Sequence, residues 1–374
     1  MINLAVIGYG YWGPNIVRNF ATHADCRVVA VCDRDARALA RVASRHPTAT
    51  VTQDIDATLR SPSIDAVAIV TPVSTHYALA KAALENGKHV FVEKPFTATA
   101  AQAEALIELA ERKRLQIMVD HTFLFNGAVR KIKELVDGGV LGPLYYYDST
   151  RVNLGLFQHD VNVIWDLAPH DLSIIDHLIG AEPEMVLATG SAHLNGHADV
   201  AYITLGFPRG VIAHVAVSWL SPVKLRTTLV GGERRMVVWN DLEPAEPVKV
   251  YDKGVQVTSQ RGIHELLVSY RSGDMWAPRI DQVEPLNLET RYFLDCVASG
   301  TTPINDGRAG LRVVRMLEAA DESLRRHRVI VGRPGRRRRI ATTPEQRPPI
   351  SAAIASAKPS AITPAKPSAI TPAA

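Results

Sequence analysis

Cysteine is scarce in this chain. There are three in 374 residues, Cys26, Cys32 and Cys296, and none has metal-ligand spacing. That scarcity excludes a disulfide framework and a zinc site, so no metal is expected, and it suits a reducing cytoplasm. Long apolar runs are missing too, so no segment approaches a membrane-spanning length and no membrane partner is expected. A strand-like run starting at Ile2 leaves no room for a signal peptide ahead of it. The body also lacks an excess of positive charge. The chain's +4 is concentrated from Arg333 onward, where eight basic residues meet a single acid, Glu345. That local balance of +7 leaves residues 1–332 at −3, which argues against a nucleic-acid-binding core.

What the chain does have is strong order near its start. The apolar run 2–7 leads straight into Gly8-Tyr9-Gly10-Tyr11-Trp12-Gly13, and an apolar-periodic segment, 16–20, follows. Strand, tight glycine turn and helix N-terminus together form a cradle for a pyrophosphate. Gly8 allows the turn, Gly10 lets backbone approach phosphate, and Gly13 lets the helix pack close to the strand. Helix-end N–H groups and the macrodipole favour the anion. Further apolar runs at 28–32, 64–70, 89–92 and 116–119 alternate with helical stretches. This alternation predicts an α/β domain over residues 1–123, a doubly wound parallel sheet with helices on both faces.

In such sheets ligands collect beyond the strand C-termini, so the residues after each run matter most. Asp33 ends the second run, 20 residues beyond Gly13, where a carboxylate accepts hydrogen bonds from a ribose 2′-hydroxyl. It repels a 2′-phosphate, which predicts NAD over NADP, although the adjacent Arg34 is of the kind that accommodates that phosphate. Thr71, Pro72 and His76 follow the next run, near the expected nicotinamide half. His76 could equally belong to the start of the helix over 77–86. Glu93-Lys94-Pro95 closes the run after that. A lysine there can stabilise a developing alkoxide, and Pro95 restricts it to extended conformations.

From 144 to 260 the pattern becomes alternating and β-rich, with a hairpin over 225–239. A second α/β domain over 124–332, built on a large open, mainly antiparallel sheet, is expected. The uncovered face of that sheet predicts a homo-oligomer, a dimer or tetramer. A helix over 307–327 is expected to pack back on the first domain. Residues 333–374 carry the basic run and an octet repeated at 357–364 and 365–372, and they are expected to be disordered.

Inserted before the strands is Trp165-Asp166-Leu167-Ala168-Pro169-His170-Asp171-Leu172-Ser173. Asp166 and His170 stand four apart, on one face of a helix. Proline belongs in a first turn, which places His170 near a helix N-terminus where the dipole opposes the imidazolium and Asp166 favours it. A neutral but basic histidine suits alcohol oxidation. Arg151 and Asn153, on the segment entering this motif, are candidates for polar contact with substrate.

The glycine fingerprint, Glu93-Lys94-Pro95 and Asp166-x-x-x-His170 resemble the Gfo/Idh/MocA oxidoreductase family over residues 1–330. The resemblance implies a nicotinamide-binding Rossmann domain, a substrate domain on an open sheet, and Lys94, Asp166 and His170 around a sugar or polyol carbon. Some family members carry tyrosine in place of this histidine and often work as ketoreductases, so His170 points to oxidation. The stretches 10–15 and 165–173 are most similar to a nucleotide-sugar branch that includes UDP-N-acetylglucosamine 3-dehydrogenases. The implied reaction is NAD-dependent oxidation of a nucleotide-sugar 3-hydroxyl to a 3-keto sugar. An inositol or free-sugar dehydrogenase, a keto-sugar nucleotide reductase and a non-catalytic NAD-responsive binding protein are the alternatives. Initial rates should be higher with NAD than with NADP; a clear NADP preference would remove Asp33 from the role given to it.

Overall fold

The computed structural model describes residues 1–155, 158, 160–194, 196–257 and 268–326. The basic tail expected over 333–374 lies outside the described residues. The first half of the chain alternates as expected: β1 (Ile2–Ile7), α1 (Gly13–Ala21), β2 (Cys26–Cys32), α2 (Ala36–Arg45), β3 (Thr50–Thr52), α3 (Ile55–Arg60), β4 (Ala66–Ile69), α4 (Val73–Glu85), β5 (His89–Glu93), α5 (Ala100–Lys113) and β6 (Ile117–Asp120). These strands form one parallel sheet in the order β3-β2-β1-β4-β5-β6. All four residues of β4 and the last four of β1 are buried, as expected for strands covered on both faces. β3 was not legible as an apolar run. It is a three-residue Thr-Val-Thr edge strand with little to bury. The order of strands reverses between β1 and β4, which opens the crevice where ligands bind in doubly wound sheets.

The second half holds α6 (Gly127–Asp137), β7 (Leu144–Leu154), α7 (Val163–Ile179), β8 (Met185–Ser191), β9 (Val200–Gly206), β10 (Ile212–Ser218), β11 (Leu220–Gly232), β12 (Met236–Asn240), β13 (Val248–Val257), β14 (Val268–Trp276), α8 (Pro285–Ser299) and α9 (Gly307–Arg326). Its eight-stranded sheet runs β14-β13-β12-β11-β7-β10-β9-β8 and is antiparallel except where β7 meets β10. Alternation along β7 turns Tyr147, Ser149 and Arg151 to the buried side, under α7. The opposite face carries Tyr202 and Ile212, 49% and 46% exposed, with Leu187 and Leu229 on the same side.

α7 corrects the expectation for Pro169. The helix begins at Val163, capped by Asn162, whose side chain accepts from the Ile164 and Trp165 N–H groups. Pro169 therefore sits in the helix interior, and His170 lies two turns in, beyond the reach of the terminal dipole. Asn162 supplies a strong start signal upstream, and packing of α7's apolar face stabilises the helix through the missing N–H.

α8 returns to the first sheet. Phe293 meets Phe20 of α1 and Phe91 of β5 edge-on, with ring centroids 6.0 and 5.6 Å apart. Arg291 adds a forked ion pair to Asp25, and Arg18 another to Glu284. α9 packs on α5, α7 and β8. Because Phe293 is fully buried, Phe293→Ala should cost about 3–5 kcal/mol. Urea unfolding would show a lower midpoint; an unchanged midpoint would mean that α8 does not help hold the first sheet together.

Candidate active site

A cleft of about 660 Å³ opens at the carboxyl ends of β4, β5 and β6 and is closed on its far side by α7 and β11. The glycine loop forms one end. Gly8 has φ +98°, and a Cβ there would lie 2.3 Å from the Val70 carbonyl oxygen, so only glycine makes this turn. A Cβ on Gly13 would lie 2.7 Å from the Gly8 carbonyl oxygen, which locks the loop onto α1. Nothing approaches within 4 Å of the Cβ position on Gly10. The open space is where a pyrophosphate would lie against backbone. α1 starts there without a side-chain cap, with Pro14 in its first turn. These residues fit a dinucleotide.

Asp33 is held by this loop. It accepts from the Tyr9 N–H at 2.6 Å and from the Asp35 N–H at 2.8 Å, so both oxygens are positioned. Arg34 is exposed beside it. Tyr9 is buried and Tyr11 lies open at the cleft mouth. Trp12 reaches inward, its Nε1 donating to Asp120 at 3.2 Å. Thr71 and Pro72 line the cleft. His76 does not. It is fully buried in α4, and its ring spans the carbonyl oxygens of Thr71 and Pro95 at 2.7 and 2.9 Å. Its place is behind the wall, tying the end of β4 to the residue after Lys94.

Lys94 and Asp166 meet across the cleft. Lys94 Nζ donates to the Asp166 backbone carbonyl at 2.7 Å and lies 3.6 Å from its carboxylate. The other carboxylate oxygen accepts from Trp219 Nε1 at 2.9 Å, so Asp166 turns to Lys94 and Trp219 rather than to His170. His170, one turn on, also lines the cleft, with its ring 5.0 Å from that of Phe123. Burial holds the imidazole neutral, far below its ordinary range, and the cations Lys94, Arg151 and Arg226 push the same way. Its Nδ1 is sealed from solvent and makes no hydrogen bond among the described residues. Glu93 faces the same space. Burial and the neighbouring Asp120 raise its carboxyl to about 8, so at neutral pH it is largely protonated.

Arg151 and Asn153 are not brought to the cleft. The buried Arg151 side chain pairs with Asp171 through Nε at 2.6 Å and Nη2 at 3.3 Å, and its guanidinium stacks 4.4 Å from the centre of Phe123. The Asn153 amide oxygen is buried and accepts from no donor among the described residues. The arginine that does face the cleft is Arg226, the register partner of Arg151 on β11, which pairs with Asp241 at 3.1 Å. Asp120, Phe123, Arg226 and Asp241 were not singled out from sequence. Asp120 had a signal, since it is the first residue beyond the run 116–119. The hairpin residues had none, because alternation does not say which face of a strand α7 will cover.

Comparison with known proteins agrees with this geometry. Residues 2–121 match the oxidoreductase family with an NAD-binding Rossmann fold, and residues 129–238 match the GFO/IDH/MocA C-terminal domain. The chain belongs to the Gfo/Idh/MocA family. It is an NAD-dependent oxidoreductase. The UDP-N-acetylglucosamine 3-dehydrogenase of Acidithiobacillus ferrooxidans is 29% identical over 315 residues, covering 83% of this chain and 93% of that protein. A solved structure of that organism's UDP-N-acetylglucosamine 3-dehydrogenase GnnA matches with a TM-score of 0.72 at 28% identity, over 86% of this chain and 97% of the other. The scyllo-inositol 2-dehydrogenase (NAD(+)) of Bacillus subtilis is 28% identical over 81% of this chain and 88% of that protein. Among the described residues no helix is long and apolar enough to cross a membrane.

The two glycines separate folding from binding. Gly8→Ala should cost about 1–3 kcal/mol through backbone strain, and its close contact with Val70 adds to that. Gly10→Ala should leave the melting temperature unchanged and weaken NAD binding, measured by fluorescence titration. Full NAD affinity in Gly10→Ala would move the pyrophosphate away from this loop.

Proposed function

We propose that this protein oxidises a secondary ring hydroxyl of a sugar with NAD, first among candidates the 3-hydroxyl of a nucleotide sugar such as UDP-N-acetylglucosamine, giving a 3-keto sugar. The observation that carries the reading is the meeting of Lys94 from the first sheet with Asp166 and His170 from α7 in the cofactor cleft. When bound, the cofactor accepts the hydride. His170, neutral through burial, takes the hydroxyl proton. Lys94 stabilises the developing alkoxide. Asp166 positions Lys94 through its carbonyl and is itself fixed by Trp219. Residues 1–123 carry the cofactor in this reading and residues 124–332 the substrate. Arg226 and Asp241, rather than Arg151 and Asn153, give the substrate end its polar contacts. The open face of the eight-stranded sheet, with Tyr202 and Ile212 upon it, is the surface through which copies associate.

A second reading, a free sugar or inositol as substrate, is favoured by the charge of the cleft. Asp120, Asp160, Asp166, Asp241 and Glu284 line it against Lys94 and Arg226, and this surplus of acids opposes a diphosphate. NADH formation across UDP-sugars, dTDP-sugars, free sugars and inositols, with product regiochemistry by NMR, decides between the two. Turnover of free polyols alone would overturn the nucleotide-sugar reading. His170→Ala should lower kcat by roughly 10²–10⁴-fold with the NAD dissociation constant little changed. Unaltered turnover would remove His170 from the reaction.

A further inference from the structure

Beneath the cleft lies a group of carboxyls that the proposed reaction does not use. Glu93 and Asp120 are register partners at the ends of β5 and β6, and both line the cleft. Glu289 approaches from α8 and has no contact with solvent. One of its oxygens accepts from Asn305 Nδ2 at 2.9 Å, while Oε2 is sealed in and receives no donor. The same Asn305 Nδ2 also donates to the Val119 carbonyl at 2.7 Å, which places the Glu289 carboxyl beside the end of β6, where Asp120 stands. Carboxyls gathered in one buried site disfavour full ionisation, so a proton is retained among them. Asp120 in turn accepts from Thr122 Oγ1 and from the Trp12 indole of the glycine loop, so the group is joined directly to the cofactor-binding segment.

We propose that Glu93 and Glu289, gathered about Asp120, hold an exchangeable proton, which binding of the oxidised cofactor expels and binding of the reduced cofactor leaves in place, with Glu289 as the positioning residue that retains it. The inference rests on the nicotinamide lying in this cleft. An oxidised nicotinamide ring carries a positive charge and a reduced one carries none. A cation beside the carboxyls favours their ionised form. Binding of NAD therefore sends a proton to solvent. During oxidation the substrate loses a hydride and a hydroxyl proton. The hydride cancels the ring's charge and restores the carboxyls' affinity for a proton, which they take back from solvent, while the hydroxyl proton passes to His170.

The fixed charges facing the group are Lys94 and Asp166. Lys94 opposes proton retention, and Asp166 favours it. Trp12, Thr122 and Asn305 are neutral, and burial keeps the adjacent His121 neutral as well, its imidazole lowered to about 3. Burial raises the Glu289 carboxyl far above its ordinary range, and Asp120 adds to the effect. Glu93, raised to about 8, puts proton loss in the range where the enzyme can be assayed. Affinity for NAD should therefore rise between pH 7 and pH 9, and affinity for NADH should not.

Calorimetric titration of the full-length protein with NAD and with NADH, in phosphate and in Tris at pH 7.5, counts the protons exchanged. NAD should release about half to one proton more than NADH, and its dissociation constant should fall by as much as about tenfold per pH unit. Glu289→Gln keeps the shape and a donor but cannot titrate, and it should remove most of that difference. Equal proton counts for the two cofactors in the unaltered protein would overturn the proposal. So would a folded Glu289→Gln protein that keeps the full difference. Failure of both cofactors to bind would instead overturn the placement of the nicotinamide in the cleft.

Discussion

One contact joins the two halves of the site: the Lys94 ammonium donating to the backbone carbonyl of Asp166. Lys94 stands at the end of a strand in the parallel sheet, and Asp166 stands in the first turns of α7, which lies on the antiparallel sheet. A lysine stem is flexible and loses much rotamer freedom when held. Here the far end is fixed by a carbonyl that cannot move without disturbing the helix, and the neighbouring carboxylate is held by Trp219. The ammonium is thus placed by both sheets at once. The helix that carries His170 is fixed from a third side as well, where Asn162 and Trp165 donate to Asp321 of α9.

The parts of this arrangement that were legible in the sequence are those set by local geometry. Gly8 and Gly13 are required by contacts of their own turn with Val70 and with Gly8, so their spacing alone reported the loop. Asp33 and Lys94 each follow an apolar run, and the ends of strands in a parallel sheet define the crevice. Asp166 and His170 were related by helical spacing, which the structure keeps. Pro169 misled because its usual place is a first turn, whereas the Asn162 cap started α7 earlier. Arg151 misled for another reason. Its strand was read correctly, but a buried partner, Asp171, lay 20 residues away on a helix whose docking no local pattern specifies.

That misplacement shows how the second wall is built. Arg151 and Arg226 are register partners, yet one is buried under α7 against Asp171 and the other reaches the cleft beside Asp241. Phe123 lies between these cations and His170, with the Arg151 guanidinium over its ring and the imidazole at its edge. An aromatic face attracts a cation, and a buried ion pair holds the guanidinium in place. The wall behind His170 is therefore rigid and positive. Both properties act against a resting imidazolium, so a proton taken by His170 in the proposed reaction would be held only in passing.

Burial, more than any single neighbour, assigns the charge states in the cleft. His170 and His121 are kept neutral by it, and the Glu93 and Glu289 carboxyls are raised by it. The terminal helix dipole is unnecessary for His170, since desolvation two turns into α7 produces the same neutral imidazole. Opposite walls then differ in kind. One presents an uncharged imidazole backed by arginines, the other a set of carboxyls with fewer negative charges than oxygen pairs. A ring that changes from cationic to neutral during the reaction would lie beside the second wall, and the hydroxyl that loses its proton beside the first. In the proposed reaction the hydride would therefore pass on the carboxyl side and the hydroxyl proton would leave toward the histidine side.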